Sequence, residues 1–212
     1  SPNPATAPIW PAGPTDETAL APHPGAPRIR VHEGIAQLRL DRLAEHNRLD
    51  PADIDAMTLW FAQLAADPAI RALVITGTGE RTFSSGYTLD AILSELDDRL
   101  ERMLDALEAL PFVTIAALNG SVYGGATDLA LACDLRFCSP NAEFALQDAK
   151  WGFHACDGGL IRLPQIVGMG HAMEIILSGE RVDADHAYRI GLVDELLAAD
   201  QMDARLGELC DT

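Results

Sequence analysis

The feature that most constrains this chain is the way short, continuously apolar segments alternate with longer segments of helical spacing. Ala72-Leu73-Val74-Ile75-Thr76 is apolar or β-branched at every position and is bounded by Gly77 and Gly79. Residues 112–118, from Phe112 to Leu118, read the same way. A strand with one wet face alternates polar and apolar residues. A strand that is apolar throughout must have both faces covered, which is the situation of a parallel sheet under helices. The segments between supply those helices. Asp50 as cap and Pro51 at the first position open one. Ile54, Met57, Phe61 and Leu64 continue it at helical spacing through Ala65, and Asp67–Pro68 ends it. A second helix fits residues 89–110, with Ile92, Leu96, Leu100, Met103 and Leu107 on one stripe. Strands alternating with helices indicate an α/β fold.

The remaining elements follow the same logic. Ile29 and Val31, then residues 35–40, read as two short strands turning at Glu33–Gly34. A helix opens near Ala126 and runs to Cys133; strands at 135–138 and 143–146 follow. From about Ile161 the chain reads mainly helical, at 172–177, at 184–190 and again after Asp200. Residues 1–27 differ. They hold Pro2, Pro4, Pro8, Pro11, Pro14, Pro22, Pro24 and Pro27, more than half of the 13 prolines. Proline removes backbone donors and little here can be buried, so this stretch reads as an extended, flexible arm, with Trp10 as its one anchor. The expected organisation is an arm over 1–27, a core domain over 28–197, and the start of a C-terminal helical region over 198–212.

Charge narrows the partners. The net charge of −17 repels nucleic acid and anionic lipid surfaces, so neither is expected. Lys150 is the only lysine, so an anionic ligand must be met by arginines, backbone N–H groups or helix N-termini. No apolar run of the length a membrane helix needs stands out in the sequence. Cys133, Cys138, Cys156 and Cys210 form no C-x-x-C pair and read as reduced thiols of a cytoplasmic protein. No metal site is expected, since His154, Cys156 and Asp157 have no second ligand cluster to join.

Two stretches carry chemistry. In the segment from Asn119 to Asp134, a strand leads through Gly124–Gly125 into a helix. Glycines there let backbone approach a ligand, and the helix beyond turns free N–H groups and a positive dipole end toward it. Such a place suits an oxygen that becomes negative during reaction. The plainer reading is a tight strand-to-helix turn. Phe83-Ser-Ser-Gly-Tyr-Thr-Leu-Asp90 also follows a strand and precedes a helix, and a turn at Gly86 exposes the Tyr87 N–H. Two N–H groups from separate strand ends can converge on one oxygen; the plainer reading here is a serine-rich loop. Gly77-Thr-Gly79 lacks the third glycine of a dinucleotide loop, and neither a P-loop nor a Gly-x-Ser-x-Gly elbow is present.

Together these stretches resemble the crotonase (enoyl-CoA hydratase/isomerase) superfamily. The ordered set Thr76-Gly77, Phe83-Ser-Ser-Gly86, Asn119-Gly120, Gly124-Gly125, Ala132-Cys-Asp134, Arg162-Leu-Pro164 and Gly191-Leu-Val193 runs in the family's order and near its spacing, from roughly Arg30 to Leu197. The resemblance implies a ClpP-like spiral of ββα units. It also implies a coenzyme A thioester as substrate with no separate cofactor, and homotrimers or dimers of trimers. Family members continue into C-terminal helices, and this chain stops soon after Leu197, so those helices are expected to be absent and the region truncated.

Carried over position by position, the resemblance puts the oxyanion-hole donors on the backbone N–H of Tyr87 and Gly125, with Gly86 and Gly124 beside the substrate. The family's two catalytic glutamates fall on Asp128 and Asp148, each one methylene shorter. Independently of any family, hydration needs one group to take a proton from water and another to deliver one to the α-carbon, and two carboxyls facing one pocket serve. The plainer reading makes Asp128 a first-turn helix residue and Asp148 a solvated loop residue. Asp157 falls in His154-Ala-Cys-Asp-Gly-Gly159, which resembles the family's glycine-rich loop beside the acyl group. It is either a covalent nucleophile, as an aspartate is in the 4-chlorobenzoyl-CoA dehalogenase branch, or a turn-forming residue. His154 is a second acid/base group or a packed ring. The family binds coenzyme A through the loop that here runs Arg42-Leu-Ala-Glu-His-Asn-Arg48, which makes Arg42, His46 and Arg48 candidates for substrate contact.

The expectation is an enzyme that hydrates a 2-enoyl-CoA thioester. Isomerisation, decarboxylation, dehalogenation or thioester hydrolysis would use the same oxyanion hole, and a catalytically silent acyl-CoA binder is the reading from another class.

Overall fold

A computed structural model describes residues 25–88, 98–152 and 158–210. Most of the expected arm, the 89–97 part of the second helix, and the loop holding His154, Cys156 and Asp157 lie outside the described residues.

The chain opens with a hairpin, β1 (Arg28–His32) and β2 (Ile35–Leu40). Its turn is Glu33–Gly34, both at positive φ. Helix α1 (Pro51–Ala66) follows, and Asp53 reaches back from its first turn to accept the Asp50 N–H at 2.8 Å. Then come β3 (Ala72–Gly77), β4 (Thr82–Ser84), helix α2 (Arg99–Glu108), β5 (Val113–Leu118), β6 (Ser121–Tyr123) and helix α3 (Gly125–Leu131). The rest is β7 (Leu135–Cys138), β8 (Glu143–Ala145), helix α4 (Gly159–Ser178), β9 (Val182–Asp183), helix α5 (Ala184–Arg189), β10 (Glu195–Leu196) and helix α6 (Ala199–Cys210).

The strands form two sheets. One has the order β1-β2-β3-β5-β7-β10, the other β4-β6-β8-β9. From β2 to β10 the large sheet is parallel, and β4, β6 and β8 of the small sheet are parallel too. Three times the chain lays a strand in the large sheet, one in the small sheet, and moves on toward a helix. That is the expected α/β spiral of ββα units.

Register explains why the large-sheet strands are apolar throughout. Leu73 and Ile75 of β3, and Ala116 and Leu118 of β5, point into the main core with the helices and the small sheet. Their neighbours Ala72, Val74, Ile115 and Ala117 point the other way, onto Met202 and Leu206 of α6. Both faces are covered, as the composition of these strands demands.

The structure departs from the sequence reading in two places. β4, β6, β9 and β10 are two or three residues long, too short for periodicity to register. Helix α4 starts at Gly159, well before 172, and bends at Gly168 (φ 80°, ψ 159°). It is also long and apolar enough to cross a membrane by length and composition, contrary to the expectation that no such run exists. Leu163, Val167, Ala172, Ile175 and Ile176 nevertheless join the main core.

Candidate active site

The three parallel strands of the small sheet end side by side, and the sequence-predicted groups follow those ends. Tyr87 follows β4, Gly125 and Asp128 follow β6, and Asp148 follows β8. In open α/β sheets, the crevice beyond the carboxyl ends of parallel strands is where ligands bind.

The β4 end is pinned along the loop before α1. Ser85 N–H donates to His46 O at 2.9 Å, Leu49 N–H to Gly86 O at 2.9 Å, and Thr88 N–H to Leu49 O at 3.0 Å. The Ser84 hydroxyl donates to Asn47 O at 2.7 Å and accepts the Gly86 N–H at 3.1 Å. Residues 46–49 therefore act as a template strip for 84–88. The β6 end is held by the Gly124 N–H, which donates to Ala145 O at 3.0 Å.

These two ends touch. A Cβ placed on Gly86 (φ 93°) would lie 2.5 Å from Tyr123 O and 3.1 Å from Gly125 N. A Cβ on Gly125 would lie 3.5 Å from Tyr87 N. The structure thus brings the Tyr87 and Gly125 amides together, and the close approach depends on Gly86 lacking a side chain. Gly124 caps α3 at φ 54°, ψ −131°, a conformation open to glycine. Among the described residues the Gly125 N–H has no acceptor, as expected for the first amide of a helix.

Asp128 lies one turn beyond Gly125, on the same helix face. It is 4% exposed. Its carboxylate lies against the start of α4: a Cβ on Gly159 would come within 2.5 Å of Asp128 Oδ1. Asp148 opens a 3-10 turn, Asp148–Trp151, and is half-buried. Asp157 and His154 belong to the loop outside the described residues.

The expected coenzyme A loop divides. Arg42 does not reach out to a phosphate. Its guanidinium is buried and binds Asp53 at 2.8 Å and Asp50 at 3.2 Å, with the Arg48 carbonyl as a further acceptor. Burial works against its charge, but the hydrogen bond and charge of Asp53 win and hold it above the ordinary arginine value. Arg42 braces the template loop against α1. Arg48 is partly exposed and pairs with Glu45 at 2.6 Å and Asp50 at 3.3 Å. His46 is exposed, with Nδ1 3.1 Å from the Thr82 hydroxyl.

Sequence reasoning gave Arg162 no role. It is 7% exposed and grips Asp105 and Glu108 of α2. Its only sequence signal was its place in Arg162-Leu-Pro164. Among the described residues, no cluster of three His, Cys, Asp or Glu side chains is close enough to hold a metal ion.

Comparison with known proteins agrees with this architecture. The profile of the family described as "Enoyl-CoA hydratase/isomerase" matches residues 30–211. Among curated relatives, (E)-benzylidenesuccinyl-CoA hydratase of Thauera aromatica is 34% identical over 175 residues, covering 80% of this chain and 68% of that protein. Carnitinyl-CoA dehydratase of Citrobacter koseri is 35% identical over 177 residues, covering 79% and 66%. The chain thus spans about two thirds of their length. The crystal structure of an enoyl-CoA hydratase from Bacillus anthracis superposes with a TM-score of 0.82 at 26% identity, covering 87% of this chain and 75% of that one. With a family profile running across nearly the whole described chain and a matching spiral of paired sheets, the protein belongs to the enoyl-CoA hydratase/isomerase family of the crotonase superfamily.

Proposed function

We propose that the protein hydrates a 2-enoyl-CoA thioester, with the backbone N–H groups of Tyr87 and Gly125 receiving the thioester oxygen and Asp128 and Asp148 handling protons. The observation that carries this reading is the contact between the two strand ends, where only the absence of a Gly86 side chain lets amides 87 and 125 lie so near. Donors fixed before reaction stabilise charge as it develops, because they need no reorganisation.

The reaction adds water across the double bond conjugated to the thioester. A water loses a proton to one carboxylate as its oxygen bonds to the β-carbon. Electrons move onto the thioester oxygen, which becomes the enolate oxygen held by the two amides. The second carboxyl delivers a proton to the α-carbon and the carbonyl re-forms. Aspartate in both positions holds its carboxyl closer to the backbone than glutamate would. The relatives that carry hydratase and dehydratase names support water addition over the other chemistries of the fold.

The test is turnover of crotonyl-CoA and longer enoyl-CoAs, followed by loss of conjugation. Asp128→Asn is expected to lower kcat roughly 100- to 10,000-fold, the usual contribution of a positioned acid/base group. If the thioesters bind without being hydrated and Asp128→Asn changes nothing, the hydratase reading is wrong.

A further inference from the structure

We propose that Arg162 is the positioning residue for Asp128: it fastens the first turn of α4, and the Asp128 carboxylate lies directly against that turn. The inference rests on the acid/base role proposed for Asp128.

The contacts form a chain from α2 to α3. Arg162 Nη2 binds Asp105 Oδ1 at 2.9 Å and Glu108 Oε2 at 2.7 Å, and its Nε binds Glu108 Oε2 at 3.0 Å. On its other side the guanidinium Nη1 presses on Gly158, where a Cβ would collide with it. Gly158 takes φ 94° and caps α4. The next residue, Gly159, leaves the space that Asp128 Oδ1 occupies. Moving Arg162 therefore moves the turn that Asp128 rests on.

That turn also carries electrostatic weight. Ile161 and Arg162 donate their amides to Gly158 O at 2.9 and 2.8 Å. The amides of Gly159 and Leu160 have no acceptor among the described residues. Free N–H groups at a helix start favour a carboxylate in its ionised form. How closely α4 is held to α3 thus affects both the orientation and the acidity of Asp128.

An ordinary ion pair is the competing account, and the exposures argue against it. Arg162 is 8% exposed in its side chain, whereas Asp105 and Glu108 are 66% and 58% exposed. Partners this solvated return little stability, while burying the guanidinium costs desolvation. The planar fork instead fixes direction, with Glu108 held by two of its nitrogens.

Three variants of the full chain test this: Arg162→Gln, Arg162→Lys, and the pair Asp105→Asn with Glu108→Gln. Arg162→Gln is expected to lower kcat on crotonyl-CoA roughly 10- to 100-fold with KM within about threefold, the signature of a contact that matters in the transition state. Arg162→Lys should recover part of the loss. Titration of the Asp128 carboxyl by carbon NMR, assigned with Asp128→Asn, should move upward in Arg162→Gln as the helix-start amides withdraw. The inference is overturned if folded Arg162→Gln keeps its kcat, or if kcat and KM change together while the Asp128 titration stays put. Should Arg162→Gln fail to fold, the Asp105/Glu108 pair, which leaves Arg162 in place, must show the same directions at smaller size. A wild-type protein that hydrates nothing removes the hydratase reading, and the Asp128 titration in the same variants still decides this one.

Discussion

The carboxyl edge of the small sheet and the outer face of the large sheet offer two kinds of space. Between the large sheet and α6 lies a cavity of about 670 Å³, lined by Val74, Thr76, Ala117, Asn119, Met202 and Leu206 among others. It is within the size range of ligand pockets. Part of its polar lining is engaged within the protein. Asn119 accepts the Gly77 N–H at 2.9 Å and donates to Gly79 O at 2.7 Å, and Asn141 donates to Glu80 O at 2.8 Å. The small-sheet edge is tight, with glycines at its closest contacts and a helix-start amide that no protein acceptor takes among the described residues. Room alone does not make a reaction site; charge development needs donors fixed beside the reacting atoms.

The sharpest way to break this contrast is to fill the tight edge with one methyl group. Gly86→Ala would put a Cβ 2.5 Å from Tyr123 O at a backbone φ of 93° that alanine adopts only with strain. The two strand ends must separate. We expect kcat on an enoyl-CoA to fall at least about 100-fold, or about 2.7 kcal/mol of transition-state stabilisation. Measuring kcat on the folded fraction separates this from instability. Unaltered turnover would mean that the spacing of amides 87 and 125 does not govern the reaction.

The opposite manipulation enlarges the roomy side. Met202 is buried on the sheet with Val74, Phe137 and Leu206. Met202→Ala should lower stability by about 2 kcal/mol, through lost transfer energy and a larger void. Crotonyl-CoA turnover at a temperature where the variant is folded should stay within about twofold. Chemical denaturation and a kcat measurement decide it, and a large loss of kcat without loss of stability would move the site to the cavity.

How far the sequence foretold these two regions differs with the physics of each. Strands β3 and β5 were legible because double burial leaves a continuous apolar run, and α1 because Asp50 and Pro51 mark its start. The glycine turns at Gly86 and at Gly124–Gly125 were legible in the sequence. The partners of Arg42 were not legible, since a buried arginine and one that reaches for phosphate look alike until Asp53 is seen beside it. Arg162 was missed for a related reason. Its partners Asp105 and Glu108 read as a solvated helix face, and only tertiary packing reveals that α2 runs beside the start of α4. Residues 42–48 read as a ligand loop, and the templating of 84–88 by residues 46–49 is a backbone effect that side-chain identity does not encode.

Two buried thiols allow the regions to be compared within one molecule. Cys133 follows α3, whose start carries Gly125, and Cys138 ends β7, beside the Ser139 that lines the cavity. Burial pushes each up to about 12. A thiol whose folded value exceeds its unfolded one contributes stability that is complete below the ordinary thiol range. That contribution is lost as pH rises from about 9 toward 12, at up to about 1.4 kcal/mol per pH unit for each group. At pH 8 neither thiolate is available, so an aromatic disulfide reagent should label neither residue until the protein opens. With Cys156 and Cys210 replaced by serine, Met202→Ala should speed labelling at Cys138 more than at Cys133, by a few-fold. Equal acceleration would mean that the two regions open together as one cooperative unit, and the contrast drawn between them would then be one of chemistry but not of local stability.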